Sequence, residues 1–431
     1  MLIRHGPALS PDLREKMLAS LRRATTAIRQ RDVGPGYTNI AVLGGGLCAA
    51  AGEILNDPDL VRYGRERLQA IVAHTAQHGS FNEYNSPPYA KVVIAECERT
   101  LLLAEDPLSR EAAETIRRAA WELAAGSFHP GTSQWAGPHS RTSRDRLRVS
   151  TVDFLAQRTG IAIPVHPAMA AGEPRGYAVV PPLPCPPDLV ASFQEAKRGQ
   201  IRRQFVAGRD PRIGITWFSE SVCLGSVNRS TFWTQRKPLI GYWRTPADPA
   251  VVLRMRFLHD GRDFASMAVR IDQQENRALW RVETQPGAGD WHPRLDRPAD
   301  GRFQAGDLRI RFELRGKGVT AEELASGRYA LSAGKHRAIV HTIASQFAGE
   351  PVVWQVDRDN EAVYIDGICH HGEPRVFDFT ALQVGIVGGI ELLDSKTRPL
   401  DHAPEAVEDD ATVLARWRIS DETTLVIPSS R

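Results

Sequence analysis

From Ser10 onward apolar residues recur every three to four positions, as Leu13, Met17, Leu18, Leu21, Ala24 and Ile28, until Gly34-Pro35-Gly36 interrupts them. That spacing lines up one face of a helix. The same periodicity predicts helices from about Thr38 to Leu55, Pro58 to Gln77, Pro87 to Ala104 and Pro107 to Ala125. Asp57, Ser86 and Asp106 each stand directly before a proline. A side-chain acceptor followed by a residue that has no N–H to satisfy marks a helix start. The first 160 residues are therefore expected to be mostly helical.

Between Ile161 and Asp188 the pattern dissolves into prolines, among them Pro164, Pro167, Pro174, Pro181, Pro182, Pro184, Pro186 and Pro187. Neither helices nor central strands continue through such a stretch, so it reads as an extended connector. Beyond it the period becomes two. Val251, Leu253, Met255 and Phe257 interleave with Arg254 and Arg256, and Leu308, Ile310, Phe312 and Leu314 with Arg309, Arg311 and Glu313. These predict strands with one wet face. Leu279 to Thr284, Arg337 to Thr342, Val352 to Val356, Ala362 to Asp366 and Thr424 to Ile427 are further short candidates with no regular helices between them. Antiparallel sheets follow. The expected fold class is an α+β multidomain chain: an incomplete α/α toroid of helical hairpins over 1–160, a Pro-rich connector over 161–200 and an antiparallel β-sandwich over 201–431.

The helical part repeats itself. Helix starts at Asp57-Pro58 and Asp106-Pro107 lie 49 positions apart, and Gly79-Ser80-Phe81 and Gly126-Ser127-Phe128 lie 47 apart. A period near 50 built of two helices predicts stacked hairpins, in which every second loop faces the same way. Three such loops are Gly34 to Asn39, Glu83 to Tyr89 and Trp135 to Asp145. Together they would bring Tyr37, Asn39, Tyr84, Asn85, Tyr89, His139, Arg141 and Arg144 to one cleft. Aromatic rings stack on a pyranose face, while amides and guanidinium groups bind hydroxyls and carboxylate. That set suits a sugar acid.

In Asn85 with its flanking tyrosines, His139 and the neighbouring arginines, the chain resembles the polysaccharide lyases built from an α/α toroid and an antiparallel β-sandwich, which include heparinase-like, alginate and chondroitin lyases. The resemblance implies β-elimination on a uronate-containing glycan. Removing the C5 proton is hard because the adjacent carboxylate is already negative, and donors around that carboxylate stabilise the charge that develops. Asn85 would match the neutralising amide, assisted by Arg141 or Arg144. His139 would be the base or a second neutralising group, and Tyr84 or Tyr89 the donor to the leaving oxygen. Several of these lyases place His directly after the Asn, whereas here Ser86 follows Asn85. Substrate contacts would come from Tyr37, Asn39, Glu83, Trp135 and Arg144, with Trp233, Arg236 and Tyr242 of the β half closing the short ring. No cofactor or metal is implied, and the partner is an anionic oligo- or polysaccharide.

Composition narrows the alternatives. A hydrophobic fraction of 42% and a charged fraction of 24% fit a globular chain, and a net charge of +3 offers no basic face for nucleic acid. Five scattered cysteines imply neither a disulfide framework nor a zinc finger. No run approaches the ~20 apolar residues of a membrane helix, so no membrane partner is expected. The expected compartment is the cytoplasm, or the exterior if a signal segment has been removed. The run Leu43-Gly44-Gly45-Gly46-Leu47-Cys48-Ala49 imitates a dinucleotide fingerprint but lacks the flanking strands, so close helix packing explains it. Cys369-His370-His371 with Glu373, and the pair His74 and His78, contain metal-ligand types, but adjacent strand residues point apart and the histidine pair reads as a solvated helix end. Two further functions stay open: a glycoside hydrolase with Glu83, Asp145 and Glu96 as candidate carboxylic acids, and a non-catalytic carbohydrate-binding protein. Asn85-Ser86-Pro87 also reads as a capped helix start, His139 as a surface turn, and Trp233, Tyr242 and Trp243 as core aromatics.

Overall fold

The structure, a computed structural model, describes residues 2–170, 181–287, 301–394, 397–407 and 413–428. The middle of the connector, with Pro174, lies outside the described residues.

Helices occupy Pro11–Arg31, Thr38–Leu55, Pro58–His78, Pro87–Leu103, Pro107–Ser127 and Val149–Thr159. Their starts follow the caps read from the sequence. Asp57 accepts from Leu60 N at 3.0 Å, Ser86 from Tyr89 N at 3.4 Å and Asp106 from Ser109 N at 2.9 Å, each with proline in the first turn. Thr38–Leu55 packs on Pro58–His78, and Pro87–Leu103 on Pro107–Ser127. Neighbouring hairpins then stack, Thr38–Leu55 against Pro87–Leu103 and Pro58–His78 against Pro107–Ser127. Small residues allow this closeness. A Cβ at Gly46 would stand 2.1 Å from Thr100 Oγ1, so the glycines of the false fingerprint serve helix packing. Thr38–Leu55 is also long and apolar enough to cross a membrane, contrary to the sequence expectation, with 67% of it buried inside the fold. Among the described residues the hairpins are too few to close a ring.

Strands dominate from Gly199 onward. One antiparallel sheet runs in the order Val353–Arg358, Ala362–Asp378, Arg302–Arg315, Val251–His259, Leu239–Trp243, Val222–Val227, Arg212–Phe218 and Gly199–Val206. The facing sheet includes Arg328–Ala333, His336–Phe347, Val384–Leu393, Arg277–Thr284 and Met267–Gln274. Their inner faces share one core, in which Leu224, Trp243, Phe257 and Phe312 meet Val269, Trp280, Val340 and Ile390. This is the sandwich. A small sheet of Glu405–Ala406, Val413–Arg418 and Thr424–Pro428 covers the second sheet through Trp417, Leu425 and Ile427 on Leu279 and Val387. The chain is thus α+β, helical hairpins first and antiparallel sheets after.

The face expected to be wet is not. Arg254, Arg256, Arg309, Arg311 and Glu313 do share one face, but it is a ladder of paired charges. Arg254 binds Asp145 at 2.8 Å, Arg256 reaches Asp263 at 2.7 Å and Glu313 at 3.0 Å, and Arg311 holds Asp366 at 2.6 Å. Glu313 and Asp366 are 2% and 0% exposed, which only such pairing permits. The outer face of the same sheet near Phe218, Cys223, Ile240, Tyr242 and Val252 is apolar and packs against Ala136. There the loop after Phe128 lies directly on the sheet: a Cβ at Gly225 would be 1.9 Å from Gly137 O. That loop is one of the joints between the helical and sheet parts; another is the end of Pro58–His78, where His78 Nδ1 accepts from Ala207 N at 2.9 Å.

Candidate functional site

That loop and the turn before Pro87 form a buried knot. Asn85 adopts φ 45°, a left-handed conformation that Asn tolerates. Its amide nitrogen donates to Ala136 O and Pro138 O, both at 2.8 Å, and its Oδ1 accepts from Trp135 Nε1. His139 donates from Nδ1 to Asn85 O at 2.8 Å, and its backbone pairs with Lys237. Tyr84 donates to Ser230 Oγ at 3.0 Å. Asn85, Trp135 and His139 are each 2% exposed. Burial pushes the His139 imidazole down to about 4, partly opposed by the bond to Asn85 O, so the ring is neutral at pH 7.

The expected convergence of Asn85 and His139 is therefore present, but the chemistry expected of them is not. Every polar atom of the Asn85 side chain is spent on the protein, and a surface turn at His139 is replaced by a covered one. Tyr84 is likewise buried against Phe205, and Trp135 and Tyr242 are core residues, Tyr242 donating to Asp145 O. The knot fixes loops; it presents no donor to a ligand.

A second group lies at the mouth above it. Glu83, on the turn before Asn85, faces Arg141, whose Nε is 3.3 Å from Glu83 Oε1. Neither Glu83 oxygen is in line to accept a hydrogen bond from the described residues, although both are buried. Burial pushes the Glu83 carboxyl up to about 7, partly offset by the Arg141 charge. The Arg141 guanidinium stands 4.7 Å from the centre of the Trp233 ring, and that of Arg236 stands 5.9 Å from it. Ser86 Oγ fixes the Arg141 backbone by donating to its carbonyl at 2.6 Å. Tyr89, in the first turn of Pro87–Leu103, completes the group; burial and then the nearby Glu83 and Tyr37 raise its phenol, keeping it protonated. Tyr37 itself is 40% exposed.

Two expected members sit apart or deeper. Arg144 is exposed and lines a cavity of about 20 Å³, one water's worth, with Trp135, His139 and Arg146; none of Glu83, Arg141, Tyr89 or Trp233 lines it. Asn39 is 7% exposed in the first turn of Thr38–Leu55, its Oδ1 unpartnered among the described residues. The carboxylic acids proposed for hydrolysis do not pair. Asp145 is committed to Arg254 and, at 3.6 Å, Lys237, and Glu96 to Arg99 three residues on. Glu96 also lies almost two helical turns beyond Tyr89, about 10 Å along the axis.

The pair His74 and His78, expected at a solvated helix end, is partly covered instead, His78 Nδ1 accepting from Ala207 N at 2.9 Å, and Asn82 was not singled out. A Cβ on Gly36 would stand 3.4 Å from His74 Nε2 and 3.7 Å from Asn82 Nδ2, so both border the loop that carries Tyr37. His74 Nε2 and Asn82 Oδ1 have no hydrogen-bond partner among the described residues, and burial lowers the His74 imidazole. The signal available was position: His74 occupies the last turn before Gly79, the end from which the cleft loops spring. Cys369, His370 and His371 turn apart along Ala362–Asp378, His371 to Asp307 and His370 to Glu373 O. Among the described residues no three His, Cys, Asp or Glu side chains gather as metal ligands.

The geometry thus defines a mouth of aromatic, acidic and guanidinium groups between helical hairpins and a sandwich. A family profile described as "Domain of unknown function (DUF8769)" matches residues 1–153. No curated protein matches the sequence. Among solved structures the chain is similar to the heparan sulfate lyase HepC from Pedobacter heparinus, with a TM-score of 0.35 and 9% identity over 91% of this chain and 65% of that one. The chain thus spans 65% of that lyase's length.

Proposed function

We propose that the chain is a carbon–oxygen lyase that cleaves a uronate-containing glycan by β-elimination. The observation that carries this reading is the meeting of Arg141, Glu83, Tyr89, Tyr37 and Trp233 at one mouth. Arg141, stacked on the Trp233 ring, is a partner for the sugar carboxylate. Elimination breaks the C5–H and C4–O bonds and forms a C4–C5 double bond. Tyr89, held protonated, donates to the departing oxygen. His74, whose Nε2 has no hydrogen-bond partner among the described residues and whose imidazole burial lowers, and Tyr37 are groups beside this mouth able to take the C5 proton. Asn85 and His139 act as positioning residues that hold the Arg141 loop. With this reading goes a division into a helical domain over 1–160, a connector over 161–200 and a sandwich domain over 201–431.

A lyase is favoured over a hydrolase because Asp145 and Glu96, the acids that would partner Glu83, are paired elsewhere. The test is a panel of uronate polymers followed at the near-ultraviolet absorbance of an unsaturated uronate. Turnover is expected on at least one polymer, falling about 10²- to 10³-fold in Arg141→Ala and by a similar factor or more in Tyr89→Phe. Binding without new absorbance on any polymer would leave a carbohydrate-binding protein and end the lyase reading.

A further inference from the structure

The Glu83–Arg141 pair has an unusual form for a structural ion pair. Two buried pairs elsewhere in this chain are closed by aligned hydrogen bonds: Arg158 holds Glu98 through three, the shortest at 2.6 Å, and Arg311 holds Asp366 at 2.6 and 2.7 Å. Glu83 is buried to a similar degree, its side chain 9% exposed, yet takes one contact at 3.3 Å and no aligned hydrogen bond from the described residues. A buried carboxylate left in that state is poorly compensated. Its partner guanidinium is 27% exposed and lies over an aromatic face beside a second guanidinium, Arg236. The cation faces outward while the anion behind it is poorly held.

We propose that Glu83 is a resident stand-in for the substrate's carboxylate: an incoming sugar carboxylate takes Arg141 from Glu83, and Glu83 takes one proton from solvent in exchange. This rests on the lyase reading for the identity of the ligand as a uronate. The exchange balances in charge, since the carboxylate brought in replaces the one neutralised. The protonated Glu83 then has an O–H to donate to the ligand carboxylate, so the arriving charge meets two donors, Arg141 and Glu83. Among the described residues, the titratable and charged groups facing Glu83 are Arg141 from the loop and Tyr89 from the following helix, with Tyr37 beyond Tyr89. Of these, Glu83 is the group whose burial raises its carboxyl, to about 7. The device discriminates by charge. A neutral sugar has no charge to offer Arg141 in place of Glu83, and a sulfate ester, which supplies the charge without a carboxylate's planar geometry, is the ligand to set beside it.

Calorimetric titration of the full chain with a glucuronate-containing tetrasaccharide, a neutral tetrasaccharide and a sulfated neutral tetrasaccharide tests this, run at pH 8 in two buffers of different ionisation enthalpy. The expected result is uptake of nearly one proton per acidic tetrasaccharide bound. Glu83→Gln should abolish that uptake and tighten binding about tenfold, and Arg141→Ala should abolish binding in both backgrounds. Uptake unchanged in Glu83→Gln, or weaker binding in that variant, overturns the exchange while leaving the lyase reading intact. Equal proton uptake with the sulfated sugar extends the exchange to anions in general and overturns its selectivity for carboxylate. Failure of both the parent protein and Glu83→Gln to bind the acidic sugar overturns the exchange and the uronate reading together.

Discussion

Two neighbouring groups of polar residues, the Asn85 knot and the Glu83 mouth, are built from the same short stretch of chain and do opposite things. In the knot each donor has an acceptor: Asn85 answers Trp135, Ala136 and Pro138, and His139 answers Asn85. At the mouth both Glu83 oxygens lack an aligned hydrogen bond from the described residues, as do Asn82 Oδ1 and His74 Nε2 beside it. Buried polar groups that are fully paired rigidify a structure, whereas poorly paired ones store a cost that a ligand can relieve. Residue type alone does not separate these roles. An asparagine, a histidine and a tyrosine hold the scaffold here, and a glutamate two residues away has no aligned hydrogen bond from the described residues.

The sharpest way to break this contrast is Asn85→Ala. It strips partners from two carbonyls and an indole N–H that stay buried, and places a residue that resists positive φ at 45°. A loss of about 3–5 kcal/mol in unfolding free energy is expected. Denaturant melts check it, and an unchanged midpoint with lost activity would return Asn85 to the catalytic group. The next effect comes from acid. His139 has a folded value near 4 against 6.5 for the free side chain. Its contribution is complete above pH 6.5 and is lost as pH falls toward 4, because the unfolded chain binds the proton first. The loss amounts to about 3 kcal/mol. Stability measured between pH 7 and 4 should fall less steeply in His139→Asn, whose amide keeps a donor for Asn85 O. A parallel slope would mean that His139 opens to solvent in the folded protein.

How much of this was legible in the sequence divides along physical range. The helix starts were, because Asp57, Ser86 and Asp106 cap within three residues. The gathering of loops was too, since a repeat fixes it. Strands Val222–Val227 and Leu239–Trp243 escaped notice because both faces are buried, the inner on the sandwich core and the outer on Ala136, so no alternation survives. The charge ladder alternated as expected, but its burial depends on Asp145 and Asp366, more than 50 residues from the arginines they pair with. Depth was the illegible quantity at the site as well. Whether Asn85 faces a ligand or a carbonyl is decided by Ala136, 51 positions away.

The smallest expected effect sharpens the comparison from the other side. Burial raises Glu83 from 4.5 to about 7, so the folded chain keeps a proton that the unfolded chain gives up first. Stability from this group is complete below pH 4.5, declines as pH rises to about 7 and is flat above, the reverse of the His139 profile. Because the mouth is partly open to solvent, the loss is on the order of 1–2 kcal/mol. Glu83→Gln keeps the shape and removes the titration, so its unfolding free energy should exceed that of the parent at pH 8 and match it near pH 4.5. A variant less stable at pH 8 would make the Arg141 pair a structural bond like those of the knot, and the distinction between scaffold and mouth would fail at the residue that defines it.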